Sequence, residues 1–356
     1  MDDNRQAFLE SLLDTPSPSG FETAGQRVWI DYVSEFADDV QVDEYGNAVA
    51  VHEGGDTEIA IAGHSDEIGL MVRDITDDGY LALSRIGGSD RTVTRGQHVT
   101  VHTDNGPISG VIGQTAIHLR DRDDEGVDDV AEQHVDIGVV DGDAARERVE
   151  IGDPITVASE LQSLADTRLA ARGMDNRVGI WTAAETLRRA SERDADATIY
   201  AVSTVQEEVG LKGAQMVGFD LDPDAVIAVD VTHATDSPSV PGKRSNSVEL
   251  GEGPVVTRGS ASHPRLVEAL RATATEDDVA LQLQATGIRT GTDADAFYTQ
   301  RGGIPSLNLG LPNRYMHTPV EVIDTDDLDA AAELLSSFAV SAGDHTPFAV
   351  DLPGQD

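Results

Sequence analysis

The 356-residue sequence contains no cysteine, only two lysines and few aromatic residues, which make up 4% of the chain. Without cysteine, disulfide bonds, thiolate metal ligands and cysteine nucleophiles are excluded. No apolar run approaches the ~20 residues that a membrane-spanning helix requires. The first residues, Met1 to Asn4, show no basic or apolar signal segment. We therefore expect a water-soluble, cytoplasmic protein that has no membrane partner.

Basic residues are scarce relative to acidic ones. The chain has 65 Asp and Glu against 25 Lys and Arg, so its formal net charge is −40. This charge would repel nucleic acid phosphates, and we exclude nucleic acid as a partner. Disorder is not indicated, because hydrophobic residues account for 39% of the chain and recur with clear periods. An acid-rich, lysine-poor but well-patterned chain is typical of a halophilic organism, where salt screens the surface carboxylates from one another.

The two ends of the chain carry alternating helix and strand patterns. Leu9, Leu12 and Leu13 have the spacing of one helix face. From about residue 166 onward, nearly continuous apolar runs at 198–205 and 225–229 predict strands buried on both faces, with helical periods between and after them. We therefore predict an α/β fold, a mixed-sheet α/β/α sandwich.

Between about residues 67 and 165 the pattern changes to short alternating runs separated by Gly, Asp and Asn turns. The runs are Gly69–Arg73, Tyr80–Ser84, His98–His102, Ile108–Ile112, His134–Val139 and Pro154–Ala158. This spacing is typical of a small β-barrel or sandwich. We predict a β domain at 67–165, inserted into a discontinuous domain formed by 1–66 and 166–356. Within the insert, the acid-rich stretch 120–132 is predicted to be a mobile, solvated loop.

Polar side chains lie at the ends of several predicted strands, where α/β proteins usually place their sites. They are His64, Asp66, Asp175, Glu207, Glu208, Asp230 and His317. Imidazole and carboxylate groups without thiolates suit Zn²⁺, Co²⁺ or Mn²⁺ with a position open for water. Five ligands can serve two such ions if one carboxylate bridges them. The sequence therefore indicates a candidate site for one or two metals.

The adjacent pair Glu207 and Glu208 has a use in such a site. Successive side chains at a strand end point in different directions, so one can bind metal while the other takes a proton from the bound water. Asp66 could hydrogen-bond the second ring nitrogen of His64 and hold its tautomer.

Each feature also has an ordinary interpretation. In a chain with 65 acids, a Glu-Glu pair is commonly solvated surface, and Asp175 alone is commonly a helix cap. The remaining histidines are interpreted as surface or core residues: His52, His98, His102, His118, His134, His233, His263 and His345.

Six segments taken together carry a stronger signal. They are GHSDEIGLMV at 63–72, MDNRVG at 174–179, TVQEEVGLKGA at 204–214, VDVT at 229–232, GTDA at 291–294 and RYMHTPVE at 314–321. In this order and at this spacing they closely resemble the motifs of the tetrahedral (TET) aminopeptidases, which are dinuclear metallopeptidases of the glutamyl and deblocking aminopeptidase group. The resemblance covers nearly the whole chain.

The resemblance implies a metal-dependent aminopeptidase that removes N-terminal residues from short peptides. Two divalent ions, Zn²⁺ or Co²⁺ with Mn²⁺ also allowed, would hold a water between them. His64 and Asp230 would bind one ion, and Glu208 and His317 the other. Asp175 would bridge the two.

The resemblance implies further roles outside the metal ligands. Glu207 would be the general base and then the acid, and Asp66 would orient His64. Asp293 would lie near the substrate pocket. The inserted domain would correspond to the PDZ-like dimerisation domain of the family, whose dimers assemble into a hollow tetrahedral dodecamer with the active sites inside.

Two other functions remain open. An endo-β-glucanase would also use paired carboxylates, although these need no set of histidines and metals. Aromatic residues, which stack on sugars, are also few. A non-enzymatic acidic scaffold would bind many cations weakly through its surface carboxylates, but it does not explain why the His and Asp motifs stand at strand ends.

The charge pattern generates a prediction about salt. If the excess of acids is an adaptation to salt, the melting temperature in metal-containing buffer should rise steeply from dilute buffer to about 1 M salt, where the Debye length falls to ~3 Å. Circular dichroism melts across a salt series measure this. A fold that stays equally stable in dilute buffer would contradict the adaptation.

Overall fold

The computed structural model describes residues 1–120, 126–193, 195–238, 240 and 247–350. The helices, in chain order, are α1 (Asp3–Asp14), α2 (Thr23–Val33), α3 (Gly142–Arg146), α4 (Met174–Glu192), α5 (Lys212–Asp220), α6 (Pro264–Glu276), α7 (Asp293–Phe297) and α8 (Thr325–Ser341). Short 3₁₀ turns are found at Val130–Glu132, Gln300–Gly302 and Ala342–His345. Within the described ranges, every helix is too short or too polar to cross a bilayer.

The strands fall into two large sheets and one small one. In chain order they are β1 (Asp39–Val42), β2 (Ala48–His52), β3 (Glu58–His64), β4 (Gly69–Ile75), β5 (Leu81–Ile86), β6 (Gln97–Thr103), β7 (Gly106–Ile112), β8 (His134–Asp136), β9 (Pro154–Val157), β10 (Gln162–Ser163), β11 (Arg168–Ala171), β12 (Thr198–Thr204), β13 (Ala225–His233), β14 (Val255–Arg258), β15 (Gln282–Ala285), β16 (Ser306–Asn313) and β17 (Glu321–Asp324).

An eight-stranded mixed sheet, in the order β1-β2-β12-β3-β13-β16-β14-β15, forms the centre of the larger unit. Its four middle strands, β12, β3, β13 and β16, run parallel, whereas β2 is antiparallel to β12 and β14 to β16. Side chains alternate between its faces: Ile59 and Ile61 join the core with α4 and α8, while Ala60 and Ala62 join the core with α5 and α7. The predicted mixed-sheet α/β/α sandwich is confirmed.

Helix α4 fixes the N-terminal helices to the sheet. It is buried along nearly its whole length. The indole N–H of Trp29, on α2, donates to the carbonyl of Ile180 at 2.9 Å, and that of Trp181 donates to the carbonyl of Arg5 at 3.0 Å. These bonds satisfy the polar atoms of two buried indoles and tie α1 and α2 to α4. The first turn of α4 carries Asp175, one of the candidate site residues.

The insert is a closed six-stranded antiparallel barrel in the order β4-β5-β8-β7-β6-β9, with β9 paired to β4. All six predicted strands are present. Of the two predicted architectures, barrel and sandwich, the structure shows the barrel. Its interior is apolar, with Leu81, Leu83 and Val101 inaccessible to solvent. The barrel strands lie inside the predicted span 67–165, whose boundaries remain a prediction.

The acid-rich stretch 120–132 lies partly outside the described residues. Its final part forms the 3₁₀ turn at Val130–Glu132, with Asp129 as its cap. Asp129 also pairs with Arg85 of β5, its carboxylate 2.9 Å from the guanidinium. The described end of the stretch is therefore tied to the barrel.

The sequence patterns did not predict several short elements. The three-stranded sheet β10-β11-β17, strand β14 and helices α5 and α7 are too short, or in α5 too rich in glycine, to show a period. Strand β16 continues through Pro312 to Asn313. A proline is tolerated there because Pro312 pairs with β13 on one side only, beyond the point where β14 is paired to β16.

Candidate metal centre

The predicted metal-site residues converge at the carboxyl ends of the parallel strands. His64 ends β3, Glu207 and Glu208 follow β12, Asp230 lies in β13, and His317 follows β16. Asp175 comes from the first turn of α4. Because adjacent parallel strands end at the same sheet edge, the fold gathers side chains that are far apart in the sequence.

These side chains form two groups, in each of which the ligand atoms lie within 4.8 Å of one another. The first group is His64, Glu207 and Asp230, and the second is Asp175, Glu208 and His317. In the first, Nε2 of His64 is 3.7 Å from both Oε2 of Glu207 and Oδ1 of Asp230. In the second, Nε2 of His317 is 3.4 Å from Oε1 of Glu208.

Asp175 belongs to the second group and also faces the first. Its Oδ1 is 3.2 Å from Nε2 of His64, and its Oδ2 is 3.3 Å from Nε2 of His317. The peptide bond from Asp175 to Asn176 is cis. The Asn176 side chain donates to the carbonyl of Val229 at 2.8 Å. One carboxylate thus offers an oxygen to each group, which is the geometry that a bridging ligand needs.

The electrostatics of the site suit cations. Burial raises the pKa of Glu207 to about 10, and the charges of Asp230 and Asp293 add to this rise. Burial likewise raises the pKa of Glu208 and of Asp230. Burial opposes a charge on His64, yet the charges of Glu207 and Asp230 raise its pKa, and hydrogen bonds to Asp175 and Glu208 raise the pKa of His317 to about 11. The site thus favours positive charge, which divalent cations would supply. The donor set, made of imidazoles and carboxylates, therefore fits two metal ions.

Asp66 lies beside His64 and also supports the turn that carries Glu207 and Glu208. Its Oδ1 lies 3.4 Å from Nδ1 of His64, but the same carboxylate also accepts the backbone N–H of Glu207 at 3.0 Å and that of Glu208 at 3.2 Å. The hydroxyl of Ser19 donates to it as well, at 2.6 Å. Burial opposes its charge, yet the hydrogen bond and charge of His64 hold the pKa of Asp66 low.

Glu321 is a site residue to which sequence reasoning gave no role. Its Oε2 accepts the N–H of Asp175 at 3.0 Å, and its Oε1 accepts the N–H of His317 at 2.7 Å. Burial and the charge of Asp175 raise its pKa well above the usual value. His317 has a left-handed backbone with φ of 62°, a conformation that needs such support in a residue other than glycine. For Glu321, the only signal in the sequence is that it ends the segment RYMHTPVE.

Asp293 is buried at the start of α7, where its Oδ2 accepts the hydroxyl of Thr204 at 2.6 Å. Burial raises its pKa to about 7. Its neighbour Thr292 lines the cleft in front of the two groups, whereas Asp293 is not among the described lining residues. Its predicted place near a substrate pocket remains a prediction.

An open cleft gives access to both groups. Beyond the candidate ligands, its walls include Thr232, Thr257, Gln284, Asn308, Met316 and the segment 285–292. Outside the candidate ligands, the described lining is mostly neutral, with Arg289 as a cation, although the chain is strongly acidic. The cleft therefore presents mostly neutral groups, with the acids concentrated at its floor.

Comparison with known proteins agrees with this arrangement. The model of the M42 glutamyl aminopeptidase family matches residues 46–334. The chain belongs to this family. The lysyl aminopeptidase of Pyrococcus furiosus is 35% identical to this M42 chain over 332 residues, 92% of this chain and 94% of the relative.

Solved structures extend the comparison to the fold. The TET aminopeptidase of a marine sediment Thaumarchaeota archaeon superposes with a TM-score of 0.91 and 29% identity, covering 98% of this M42 chain and 100% of that one. The TET1 peptidase of Pyrococcus horikoshii, which can assemble into a tetrahedron or a large octahedral shell, has a TM-score of 0.83 and 30% identity, with 94% and 99% covered.

In this M42 chain the barrel contacts the second group directly. A Cβ added to Gly88 would lie 2.8 Å from Nδ1 of His317, and one added to Gly87 would lie 3.2 Å from Cβ of Glu208. Gly87 also has a left-handed φ of 67°. The segment 87–95, which showed no motif in the sequence, thus needs its glycines to let the barrel loop approach the candidate ligands.

Glu321 generates a prediction about metal affinity. Replacing Glu321→Ala leaves the buried amides of Asp175 and His317 without acceptors, so both ligands should lose their positions. We expect the affinity of the second group for Zn²⁺ or Co²⁺ to fall about 10–100-fold. Isothermal titration calorimetry of the metal-free protein measures this.

The matched control for Glu321→Ala is Glu160→Ala, which removes the same side chain from an exposed position. It should leave both metal affinities unchanged. Equal affinities in the two variants would show that Glu321 does not hold the ligands.

Proposed function

We propose that the protein is a metal-dependent aminopeptidase that cleaves the N-terminal peptide bond of short peptides. The observation that carries this proposal is the pair of three-residue groups at the floor of an open cleft, in which the Asp175 carboxylate faces a histidine of each group. Membership of the M42 family, which names an aminopeptidase activity, supports it.

Five residues would hold two divalent cations, Zn²⁺ or Co²⁺ with Mn²⁺ also accepted. His64 and Asp230 would hold one, Glu208 and His317 the other, and Asp175 would contact both. When bound, the cations supply Lewis acidity that polarises the scissile carbonyl and lowers the pKa of a water molecule.

Glu207 would move the proton. Burial gives its carboxylate a high proton affinity, and Asp66 fixes the backbone from which it projects. Glu207 would accept a proton from the attacking water and then deliver it to the leaving amine, a type of step worth about 10²–10⁴ in rate. The acid-rich floor of the cleft would also attract the free α-ammonium group of the substrate, which explains a preference for chain ends.

The proposed assembly is a homo-oligomer, in which dimers formed through the barrel build a hollow dodecamer. The tetrahedral and octahedral shells of the TET1 peptidase from Pyrococcus horikoshii support this proposal. Peptides would then reach the cleft only from the inside of the particle.

Glu207→Gln tests the proton transfer. The amide keeps the size of the side chain but cannot take a proton, so kcat should fall by at least about 10²-fold while two metals remain bound per chain. Kinetics on an aminoacyl-anilide and metal analysis measure the two effects. The contrasting variant His317→Ala should lower the metal content.

The position of Glu207 in the first group makes the metal content decisive. If Glu207→Gln binds only one metal, then Glu207 is a ligand and not the base. If its turnover equals that of the unchanged protein, the proton acceptor is assigned wrongly.

A glycosidase remains the rival enzyme, because buried carboxylates also serve sugar hydrolysis. Against it, both groups contain a histidine, and aromatic residues make up only 4% of the chain.

We predict that EDTA abolishes hydrolysis of aminoacyl-anilides and that Zn²⁺ or Co²⁺ restores it, because the buried acids need the cations. β-Glucan hydrolysis that survives EDTA would favour the glycosidase, and many weak cation sites without any hydrolysis would favour the acidic scaffold.

A further inference from the structure

The turn that carries Glu207 and Glu208 is held by side chains from outside the turn. Four consecutive backbone N–H groups, those of residues 205–208, each donate to a side-chain oxygen. The N–H of Val205 reaches Oδ1 of Asn47 at 2.9 Å, and that of Gln206 reaches Oε1 of Glu22 at 3.1 Å. The N–H groups of Glu207 and Glu208 go to the two oxygens of Asp66.

The backbone of this turn needs such support. Gln206 has a left-handed φ of 57°, which residues other than glycine rarely adopt. Gln206 immediately precedes Glu207, so its backbone angles set the direction in which the Glu207 carboxylate points. A change at Gln206 would therefore move the proposed proton acceptor.

Glu22 is placed to control this residue. It is only 5% exposed, and its Oε1 accepts the N–H of Gly20 at 2.7 Å as well as that of Gln206. One turn further along α2, Gln26 exchanges two hydrogen bonds with Ser203, at 2.7 and 2.9 Å. The start of α2 thus lies along the end of β12, and Glu22 belongs to neither candidate metal group.

We propose that Glu22 is a positioning residue for Glu207: it holds Gln206 in its left-handed conformation through the backbone N–H and so aims the Glu207 carboxylate at the reacting water. This proposal rests on the proposed function, in which Glu207 transfers the proton. The role needs an oxygen at the right distance and does not need a negative charge.

Two conservative variants separate reach from charge. Glu22→Gln keeps the length of the side chain and an oxygen acceptor but loses the charge. Glu22→Asp keeps the charge but is one methylene shorter, so it cannot reach the N–H of Gln206 from the same backbone position. Asp31→Asn, which removes a charge from an exposed position on the same helix, is the matched control.

Steady-state kinetics on an aminoacyl-anilide should be measured with the full chain loaded with Zn²⁺ or Co²⁺. Glu22→Asp should lower kcat about 10–100-fold, because a displacement of about 1 Å at a catalytic group has an effect of this size. Its KM should change by less than about twofold and its metal content should not change. Glu22→Gln should keep kcat within about threefold, and Asp31→Asn should match the unchanged protein.

The alternative outcomes are distinct. If Glu22→Asp keeps full kcat, Glu22 does not position Glu207. If Glu22→Gln loses as much kcat as Glu22→Asp, the charge and not the reach matters, and the proposal is wrong. A loss of metal and melting temperature in proportion to kcat would show a role in general stability alone. If the unchanged protein hydrolyses no anilide, the proposed function itself has failed.

Discussion

Hydrogen bonds from backbone amides to buried carboxylates hold the candidate metal centre together. Asp66 accepts the amides of Glu207 and Glu208, and Glu321 accepts those of Asp175 and His317. Each bond satisfies a buried N–H donor. Without its partner, such a donor would destabilise the fold by about 1–3 kcal/mol. Two acids thus orient four of the candidate ligand and base residues without belonging to either metal group.

This arrangement combines two kinds of acid in one site. Burial raises the pKa of the ligands Glu208 and Asp230, and the charge of Asp175 adds to both rises, so these two acids are costly to keep ionised without cations. The supporting carboxylates face N–H groups instead, and they fix the ligands in place before any cation binds. Such preorganisation is what an electrostatic catalyst requires, because the groups need not rearrange during the reaction.

The sequence predicts those features that depend on local patterns. Leu9, Leu12 and Leu13 are buried on α1 as predicted, because a helix face depends only on residues that are near one another in the chain. His64 and Asp230 were predicted because each stands at the end of an apolar strand. Glu22 could not be predicted, since its partner is a backbone amide 184 residues away. In a chain with 65 acids, nothing local separates it from an exposed residue such as Glu35.

The candidate ligands come from five separate segments, and the first and last, His64 and His317, lie at the ends of β3 and β16. The first group is incomplete until strand β13, which carries Asp230, has joined the sheet. The second is incomplete until the residues after β16, which include His317, are in place. A chain made only as far as β13 therefore contains the residues of the first group but lacks His317 of the second. The proposed site is complete only when both β13 and the residues after β16 are in place, so bound cations would stabilise that folded state over any incomplete one.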